Sequence, residues 1–283
     1  GQYVLKTITT VDELIEALKL RYQVFHREMI GKSKPKGIDV DEFDFICDHL
    51  IIVDKKTSQI VGTYRLNCSA FSNQFYSAQE FNIRKIMELK GTKLELGRAC
   101  IHRDFRNGLV INLLWRGIAQ YMQATDSKIL FGCASIKTES PRQAALIYRY
   151  FEAHNHLSEE YSCAPNFNFT MPDLNLWMKA TANLAENKYF HSPSQGDITR
   201  NNFLFSESEL TEVESLIPSL CRAYFKAGAV ICGEPAYDKE FKCIDFLTAL
   251  PRENLNRALW RRYNTTQPQT YVHNSESYLP VMT

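Results

Sequence analysis

Apolar residues recur at helical spacing in five stretches of the chain. In the first stretch, a helix begins after Thr10 or Asp12, which are good N-capping residues, and its apolar face consists of Val11, Leu14, Leu18, Tyr22 and Phe25. In the third, Ser140 followed by Pro141 is a favourable helix start, because a capping side chain precedes a proline in the first turn. The spacing predicts the other four helices over residues 108–124, 140–154, 174–185 and 206–227.

Short β-branched and aromatic runs alternate with these helices. Residues 49–53 and 60–66 are two such runs, and the polar segment Lys55-Lys56-Thr57-Ser58 between them predicts a hairpin. Further strands are predicted over residues 3–7, 94–101, 128–135, 229–232 and 244–250. Strands mixed with helices in this order predict an α/β (α+β) protein with a central sheet.

The composition is that of an ordinary globular protein. Of the 283 residues, 45% are hydrophobic and 23% are charged, and the formal net charge of +1 gives no support to nucleic-acid binding. The eight cysteines are scattered, without a Cys-x-x-Cys pair or a histidine at zinc-ligand spacing, so we expect reduced thiols and no metal. A run of about 18 apolar residues is missing, and we expect a cytoplasmic protein.

The regular pattern weakens in the second half of the chain, where Pro165, Pro172 and Pro193 interrupt a stretch rich in Asn and Ser. We therefore expect a core over residues 1–157, an insertion or subdomain over 158–205, the C-terminal part of the core over 206–250, and a short helix and tail over 251–283. Earlier in the chain, a basic loop over residues 31–37 precedes an acidic segment, and opposite charges here are expected to pair.

Glu95 and Arg98 lie on a predicted buried strand with Gly97 between them. Side chains three apart in a regular strand face opposite sides, but a glycine inside a strand often marks a bulge, which would bring both charges to one face. A splayed strand also offers backbone N–H groups to a developing oxyanion. A catalytic pair and a structural Glu–Arg pair at a sheet edge fit this pattern equally well.

A basic turn, Arg103 to Gly108, follows this strand and opens the helix over residues 108–124. Backbone N–H groups at the beginning of a helix, together with the positive end of its dipole, bind phosphate groups. Most basic turns before helices are only solvated, so the turn by itself does not establish a binding site. As phosphate-binding residues it offers Arg103, Arg106, Asn107 and Gly108.

The order of these elements, with a bulged strand, a basic turn and a helix, resembles the GNAT acyltransferase superfamily. The phosphate turn of that superfamily, Gln/Arg-x-x-Gly-x-Gly/Ala, is matched in part by residues 103–108. The chain is more closely similar to acyl-homoserine-lactone synthases and their relatives, the ornithine lipid N-acyltransferases and N-acyl amino acid synthases often labelled hemolysin-like. The segments that carry this resemblance are residues 20–25, 41–44 with 48–50, 62–66 and 95–98, and residues 228–238 with 245–247 are similar to the ornithine-lipid type.

The resemblance implies a GNAT-like, largely antiparallel central sheet with a bulged and splayed strand. It also implies transfer of a fatty acyl group, long-chain or 3-hydroxy, from the phosphopantetheine thioester of acyl carrier protein, or of coenzyme A, to the amine of an amino acid such as ornithine. No metal and no permanently bound cofactor are implied. The family motifs fall on Arg21, Phe25, Asp41, Asp44, Arg65, Glu95 and Arg98.

The chemistry of these residue types agrees with that activity. An amine must lose a proton before it attacks a thioester, and Glu95 is a reasonable acceptor, directly or through water. Arg65 and Arg98 would hold the acceptor's carboxylate or order the acidic loop, since arginine makes bidentate contacts. Asp41 and Asp44 would hold a second amine or simply form a salt-bridged loop.

Four further side chains are candidate proton-transfer groups. Tyr148 falls where many GNAT enzymes place a tyrosine that protonates the leaving thiolate, although Tyr150 and core packing explain the pattern nearly as well. His49 and Asp54 fit the His-x4-Asp pattern of glycerolipid acyltransferases, but residues five apart in a strand face opposite sides. His102, beside the basic turn, is a better histidine candidate, and an ordinary surface histidine is the simpler interpretation.

Two rival functions remain at this stage. One is a signal synthase that makes homoserine lactones from S-adenosylmethionine, and the other is a membrane-active, hemolysin-like protein without enzymatic activity. A lipid product would partition into the membrane, so the preferred enzyme is expected to dock on the inner membrane face through exposed aromatic residues or basic helices.

Overall fold

The computed structural model describes residues 1–31, 36–190 and 205–263, which contain eight strands and nine α-helices. The strands are β1 (Tyr3–Thr7), β2 (Asp48–Asp54), β3 (Ile60–Cys68), β4 (Thr92–Ile101), β5 (Ser127–Ile136), β6 (Val230–Ile231), β7 (Ala236–Asp238) and β8 (Cys243–Pro251). The helices are α1 (Val11–Arg21), α2 (Ser77–Glu80), α3 (Arg84–Glu88), α4 (Leu109–Ala124), α5 (Pro141–Ala153), α6 (Leu174–Phe190), α7 (Glu207–Leu216), α8 (Ser219–Ala227) and α9 (Arg257–Tyr263).

Capping side chains begin the helices where the sequence predicts. The Thr10 hydroxyl accepts a hydrogen bond from the Glu13 N–H at 3.2 Å, and the Ser140 hydroxyl accepts one from the Gln143 N–H at 3.3 Å. The single helix predicted over residues 206–227 is wrong. Pro218 divides it into α7 and α8, because proline disfavours the helical conformation of the residue before it and donates no backbone hydrogen bond.

The helix predicted through Phe25 changes its winding after α1. Tyr22–Ile30 continues as a π-helix and ends at Gly31, whose φ of +72° is favourable for glycine. Such wide turns are rare and usually short, and they often occur near functional sites. This segment carries His26 as a buried side chain, so the π-helix contributes to the polar site described below.

The chain divides into two compact units. The first comprises Gly1–Tyr76, Lys90–Gly132 and the chain from Leu255 on, and the second comprises Ser77–Leu89 and Cys133–Asn254. The strand order in the first unit is β1-β2-β3-β4-β5, in which the pairs are antiparallel except for the parallel pair β4 and β5. This is the mixed, largely antiparallel sheet of a GNAT-like fold, as predicted.

Helices cover both faces of the sheet in the first unit. Ile51 belongs to the apolar cluster that includes Leu14 and Leu18 of α1, whereas Leu50 touches Gly117 of α4. Because neighbouring side chains on a strand point to opposite faces, α1 and α4 lie on opposite sides of β2. The strands between them are therefore buried on both faces.

The second unit contains the end of β5, followed in strand order by β8 and β6, with β7 also paired to β8. Its core includes Phe151 of α5 and Phe246 of β8, whose ring centroids are 5.1 Å apart. The predicted strands over residues 229–232 and 244–250 are confirmed, and the predicted helix over residues 174–185 extends to Phe190.

The predicted bulge in β4 is present, immediately after Gly97. Arg65 lies opposite Gly97 and Thr63 lies opposite Cys100, so two residues of β4 stand against one residue of β3. Arg98 adopts a left-handed conformation with φ of +50°, whereas Gly97 has no positive φ. A glycine in a bulge is expected to adopt the unusual backbone conformation. Here Arg98 adopts it, and Gly97 does not.

The parallel pairing of β4 with β5 ends at Glu95, which lies opposite Phe131. Gly132 follows at once, and a Cβ atom there would lie 2.2 Å from the carbonyl oxygen of Leu96. A side chain cannot be accommodated at this distance from backbone. Gly132 therefore allows β5 to approach β4 closely at the residue where the two strands stop pairing.

None of the helices within the described ranges has the length and apolar character that crossing a bilayer requires.

We expect Gly132→Ala to lower the free energy of unfolding by about 1–3 kcal/mol, because the new methyl group overlaps the Leu96 carbonyl. Urea denaturation followed by far-UV circular dichroism measures the change. Gly97→Ala is the matched control. Apart from the two neighbouring residues in the chain, the nearest atom to a Cβ at position 97 would be Arg65 Nε, at 3.9 Å. Equal stability of the two variants would contradict this account of the close approach between β5 and β4.

Candidate active site

The acidic segment forms a short, tightly capped turn. A 3₁₀ helix spans Glu42–Phe45, and Asp41 caps it by accepting a hydrogen bond from the Phe43 N–H at 3.0 Å. Asp44 completes a capping box by accepting from the Asp41 N–H at 2.9 Å. Hydrogen bonds within the Asp-x-x-Asp segment thus orient both carboxylates, in addition to the arginines described below.

Arg21, at the end of α1, is the central cation of this site and is only 1% exposed. Its Nε lies 2.9 Å from Asp39 Oδ2, and its Nη2 lies 3.1 Å from Asp44 Oδ2. The planar guanidinium therefore joins two carboxylates that are themselves buried.

Two strand arginines complete the network from β3 and β4. Arg65 Nη1 lies 3.0 Å from Asp44 Oδ1 and also contacts Asp41 Oδ1, while Arg98 Nη2 lies 2.8 Å from Asp41 Oδ2. Asp41 and Arg98 have side-chain exposures of 18% and 16%. These two residues form the accessible edge of a network whose other members, Arg21, Asp44 and Arg65, are deeply buried.

The charges in the network are balanced, with three arginines against Asp39, Asp41 and Asp44. Burial by itself would raise the pKa of Asp39, but Arg21, Arg98 and a hydrogen bond from His26 lower that pKa from 3.8 to about 2. Burial likewise opposes ionisation of Asp44, and Arg21 and Arg65 hold the pKa of this carboxyl well below its usual range. Both aspartates are therefore ionised at neutral pH.

Two buried histidines support the acidic segment. His26 Nε2 lies 2.8 Å from Asp39 Oδ1, so the π-helix is tied to the segment through this contact. His49 Nε2 donates to the Asp44 carbonyl oxygen at 3.0 Å. Burial lowers the pKa of His49 despite the nearby Asp44 carboxylate, and the neutral ring then carries its proton on Nε2.

Glu95, the predicted base, is a buried side chain at the last residue of β4 that pairs with β5. Its Oε2 accepts a hydrogen bond from the Tyr76 N–H at 3.0 Å. The Tyr76 ring lies 5.0 Å from the guanidinium carbon of Arg98 and 5.5 Å from that of Arg65. Tyr76 therefore joins the predicted base to the arginine network, and the bulge places Glu95 and Arg98 on the same side.

Some residues of the basic turn form hydrogen bonds or an ion pair, and others are exposed. Arg106 donates to the Ile101 carbonyl at 3.0 Å and pairs with Glu28 at 2.7 Å. Asn107 accepts a hydrogen bond from the Leu109 N–H at 3.1 Å, and Gly108 has a left-handed φ of +85°. Arg103 is exposed. The backbone conformation of the turn thus leads into α4. The ion pair with Glu28 fixes the position of the Arg106 side chain.

The remaining predicted residues lie in different surroundings. Phe25 is partly buried on the π-helix and packs against the apolar cluster under α1. Tyr148 belongs to α5 in the second unit, where burial and then Glu152 raise the pKa of its phenol. The phenol is therefore protonated at neutral pH, as a proton donor must be, and its role stays a prediction.

Residues 20–116 match the family described as acetyltransferase (GNAT) domain. The chain therefore contains a segment that is similar to a GNAT acetyltransferase domain. It is also 27% identical over 255 residues to the L-ornithine N(alpha)-acyltransferase of Rhizobium meliloti (strain 1021), covering 84% of this chain and 76% of the relative.

Two further similarities extend along most of the chain. The L-ornithine N(alpha)-acyltransferase of Agrobacterium fabrum (strain C58) is 28% identical over 262 residues, with coverage of 84% of this chain and 77% of the relative. The solved structure of a CoA-dependent acyl-homoserine lactone synthase, BjaI, aligns over 97% of this chain and 98% of that chain, with 12% identity and a TM-score of 0.49.

The site also contains residues that sequence reasoning did not select. Asp39 contacts the predicted Arg21, His26 contacts Asp39, and Tyr76 contacts the predicted Glu95. These three residues lie in separate segments of the chain. The capping-box spacing of Asp41 and Asp44 was a usable local signal, but no spacing rule links Tyr76 to Glu95. His49 and Asp54 have separate partners, since Asp54 accepts from Lys56 and Thr57 in the hairpin turn.

His102 and the cysteines complete the account of candidate groups. His102 Nδ1 accepts a hydrogen bond from the Asp104 N–H at 3.4 Å and caps the short 3₁₀ helix Arg103–Phe105. All eight cysteines are free thiols and seven are buried, as expected. The basic segment over residues 31–37 falls partly outside the described residues, and three arginines outside that segment pair with the acidic one.

We expect Arg21→Met to lower the free energy of unfolding by about 3–5 kcal/mol, because it leaves Asp39 and Asp44 buried without their shared cation. Chemical denaturation at pH 7 measures the loss. Lys19→Met on the same helix removes only the exposed pair with Glu16 and should change stability by less than about 1 kcal/mol. Similar losses in both variants would show that the network does not stabilise the fold.

Proposed function

We propose that this protein is an N-acyltransferase that moves a fatty acyl group from a phosphopantetheine thioester to the α-amino group of an amino acid, most concretely ornithine. The GNAT domain supports acyl transfer, and the relatives named L-ornithine N(alpha)-acyltransferase support the acceptor. The structural observation that carries the proposal is Glu95, a buried carboxylate at the last residue of β4 that pairs with β5, which Tyr76 links to Arg65 and Arg98.

Glu95 is the proposed base in this reaction. The acceptor's ammonium group loses a proton to the Glu95 carboxylate, and the neutral amine attacks the thioester carbonyl carbon. A C–N bond forms, the C–S bond breaks, and the thiolate takes up a proton to leave as the pantetheine thiol. Backbone N–H groups of β4 beyond Glu95 are outside the β4–β5 ladder and are suited to stabilising the oxyanion.

The accessible edge of the network is the proposed acceptor site. The Asp41 carboxylate would attract the side-chain ammonium group of ornithine, and the Arg98 guanidinium would bind its α-carboxylate. Both residues retain some exposure, whereas Arg21, Asp44 and Arg65 are buried. We therefore assign those three residues a positioning role beneath Asp41 and Arg98.

The donor is proposed to be an acyl carrier protein loaded with a long-chain or 3-hydroxyacyl group, in preference to acyl-CoA. The Arg103–Gly108 turn would bind the single phosphate of the pantetheine arm at the beginning of α4. One of the two arginines of this turn, Arg106, is already paired with Glu28, which leaves less cationic charge for a pyrophosphate.

The product would be an amphiphile, and we also propose peripheral contact with the membrane. Phe167, Leu176 and Trp177 of the second unit are 88%, 66% and 37% exposed. Aromatic and leucine side chains on a protein surface insert favourably at the headgroup boundary of a bilayer.

Replacing Glu95 with Gln should reduce kcat by about 10²–10⁴, because the amide keeps the hydrogen bond from Tyr76 but accepts no proton. The assay incubates acyl carrier protein thioesters with a panel of amino acids and identifies the products by mass spectrometry. Glu88→Gln, an exposed carboxylate-to-amide change, is the control. Equal turnover by Glu95→Gln and the wild type would show that Glu95 is not the base. If the wild type forms no acylated amine, the proposed acyl transfer is wrong.

Flotation with vesicles of phosphatidylethanolamine and phosphatidylglycerol tests the membrane contact. We expect the double variant Phe167→Ser/Trp177→Ser to bind several-fold less, since two apolar contacts with the bilayer are lost. Phe71→Ser, at another exposed aromatic residue, should bind like the wild type. Equal binding by the double variant would contradict the assignment, and dye release by the wild type without donor would favour the rival membrane-active protein.

A further inference from the structure

Cationic side chains surround the beginning of α4, at the end of β4 that leads into the basic turn. Arg103 of this turn is exposed, and the hairpin loop between β2 and β3 carries the exposed Lys55 and Lys56. The loop and the turn lie at the same end of the sheet. Tyr3 pairs with Asp54 beside the loop, and its ring centroid lies 6.4 Å from that of Phe105 in the turn.

The last described helix adds cations to the same end of the first unit. α9 packs against α4, and the Tyr263 hydroxyl donates to Asn112 Oδ1 at 2.9 Å in the first turn of α4. Arg257 and Arg261 of α9 are exposed. A helix rises about 1.5 Å per residue, so Arg257 and Arg261 lie within about 10 Å of Tyr263 along the axis of α9.

These five residues, Lys55, Lys56, Arg103, Arg257 and Arg261, are called the cationic rim. Within the described part of the chain, none of them forms an ion pair. The whole chain has a formal net charge of only +1, so a concentration of five cations at one end is a local feature and not a reflection of composition. An extended cationic surface of this kind attracts an acidic partner.

Two exposed apolar residues accompany the rim. Leu109, the first residue of α4, is 49% exposed, and Met29 near the end of the π-helix is 46% exposed. The ion pair between Arg106 and Glu28, at 2.7 Å, joins the π-helix to the turn that precedes Leu109. Apolar residues with a charged rim are typical of a protein interface, and a small anion would not require them.

We propose that the cationic rim and Leu109 form the docking surface for an acidic acyl carrier protein. This inference rests on the proposed function, in which the pantetheine phosphate binds at the beginning of α4. That phosphate is esterified directly to a serine on the surface of a carrier protein, so the carrier must lie against the residues around the α4 terminus. The rim supplies the opposite charge there, and Leu109 supplies an apolar contact.

Charge reversal away from the predicted phosphate-binding residues tests this surface. The double variant Lys55→Glu/Lys56→Glu and the single variant Arg261→Glu should each raise KM for the acylated carrier protein about tenfold or more, with kcat unchanged. KM for an acyl-pantetheine donor should not change. Lys90→Glu is the control, because Lys90 is exposed and precedes β4, whose ten residues extend over about 30 Å to the basic turn.

Salt and direct binding give independent readouts. Raising the salt concentration should weaken carrier binding by the wild type more steeply than binding by the reversed variants. Titration of unacylated carrier protein into each variant by calorimetry measures docking without catalysis. If no donor yields an amide, the proposed function fails, and the titration still decides whether the surface binds the carrier.

Three results would overturn the docking surface. Unchanged KM and unchanged carrier affinity in the reversed variants would remove the rim from the interface. Equal effects on acyl carrier protein and acyl-CoA would show a site for the donor's phosphates alone. An equal effect of Lys90→Glu would show general electrostatic attraction without a localised surface. Far-UV circular dichroism of each variant establishes that these exposed substitutions leave the fold intact.

Discussion

The buried ion network around Arg21 is the interaction on which the site depends. Three aspartates from one short segment meet arginines from α1, β3 and β4, and most of these groups have almost no contact with water. Desolvating so many charges is unfavourable unless each one is paired. The acidic segment is therefore held in one conformation against the sheet, because any displacement would leave a buried charge without its partner.

A second constraint acts on β4 and determines where the proposed base lies. The extra residue in the β4 bulge brings Glu95 and Arg98 to the same side. The pairing of β5 with β4 ends at Glu95, next to the point where Gly132 lies against the Leu96 carbonyl. Tyr76 then connects the two features through its backbone N–H and its ring. The left-handed conformation of Arg98 is tolerated because Asp41 holds its guanidinium.

Elements whose causes are local agree best with the sequence. Thr10 and Ser140 cap helices where capping residues were recognised, and the alternating apolar runs of β2 and β3 form the predicted hairpin. The sequence interpretation failed where two local tendencies competed. The helical spacing of apolar residues continues across Pro218 and predicted one helix where the chain forms α7 and α8. In β4, the glycine at position 97 predicted the bulge, but the neighbouring Arg98 has the positive φ.

The sequence by itself determined the fold class, the order of the elements and the bulged strand, because each follows from periodicity or spacing within a few residues. Only the tertiary structure decided which ions pair, since Arg21, Arg65 and Arg98 are far apart in the chain and meet the aspartates through the packing of α1 on the sheet. It also decided that Asp41 and Arg98 keep contact with solvent while Arg21 and Asp44 lose it. Burial depends on what packs above a side chain, and no local pattern contains that information.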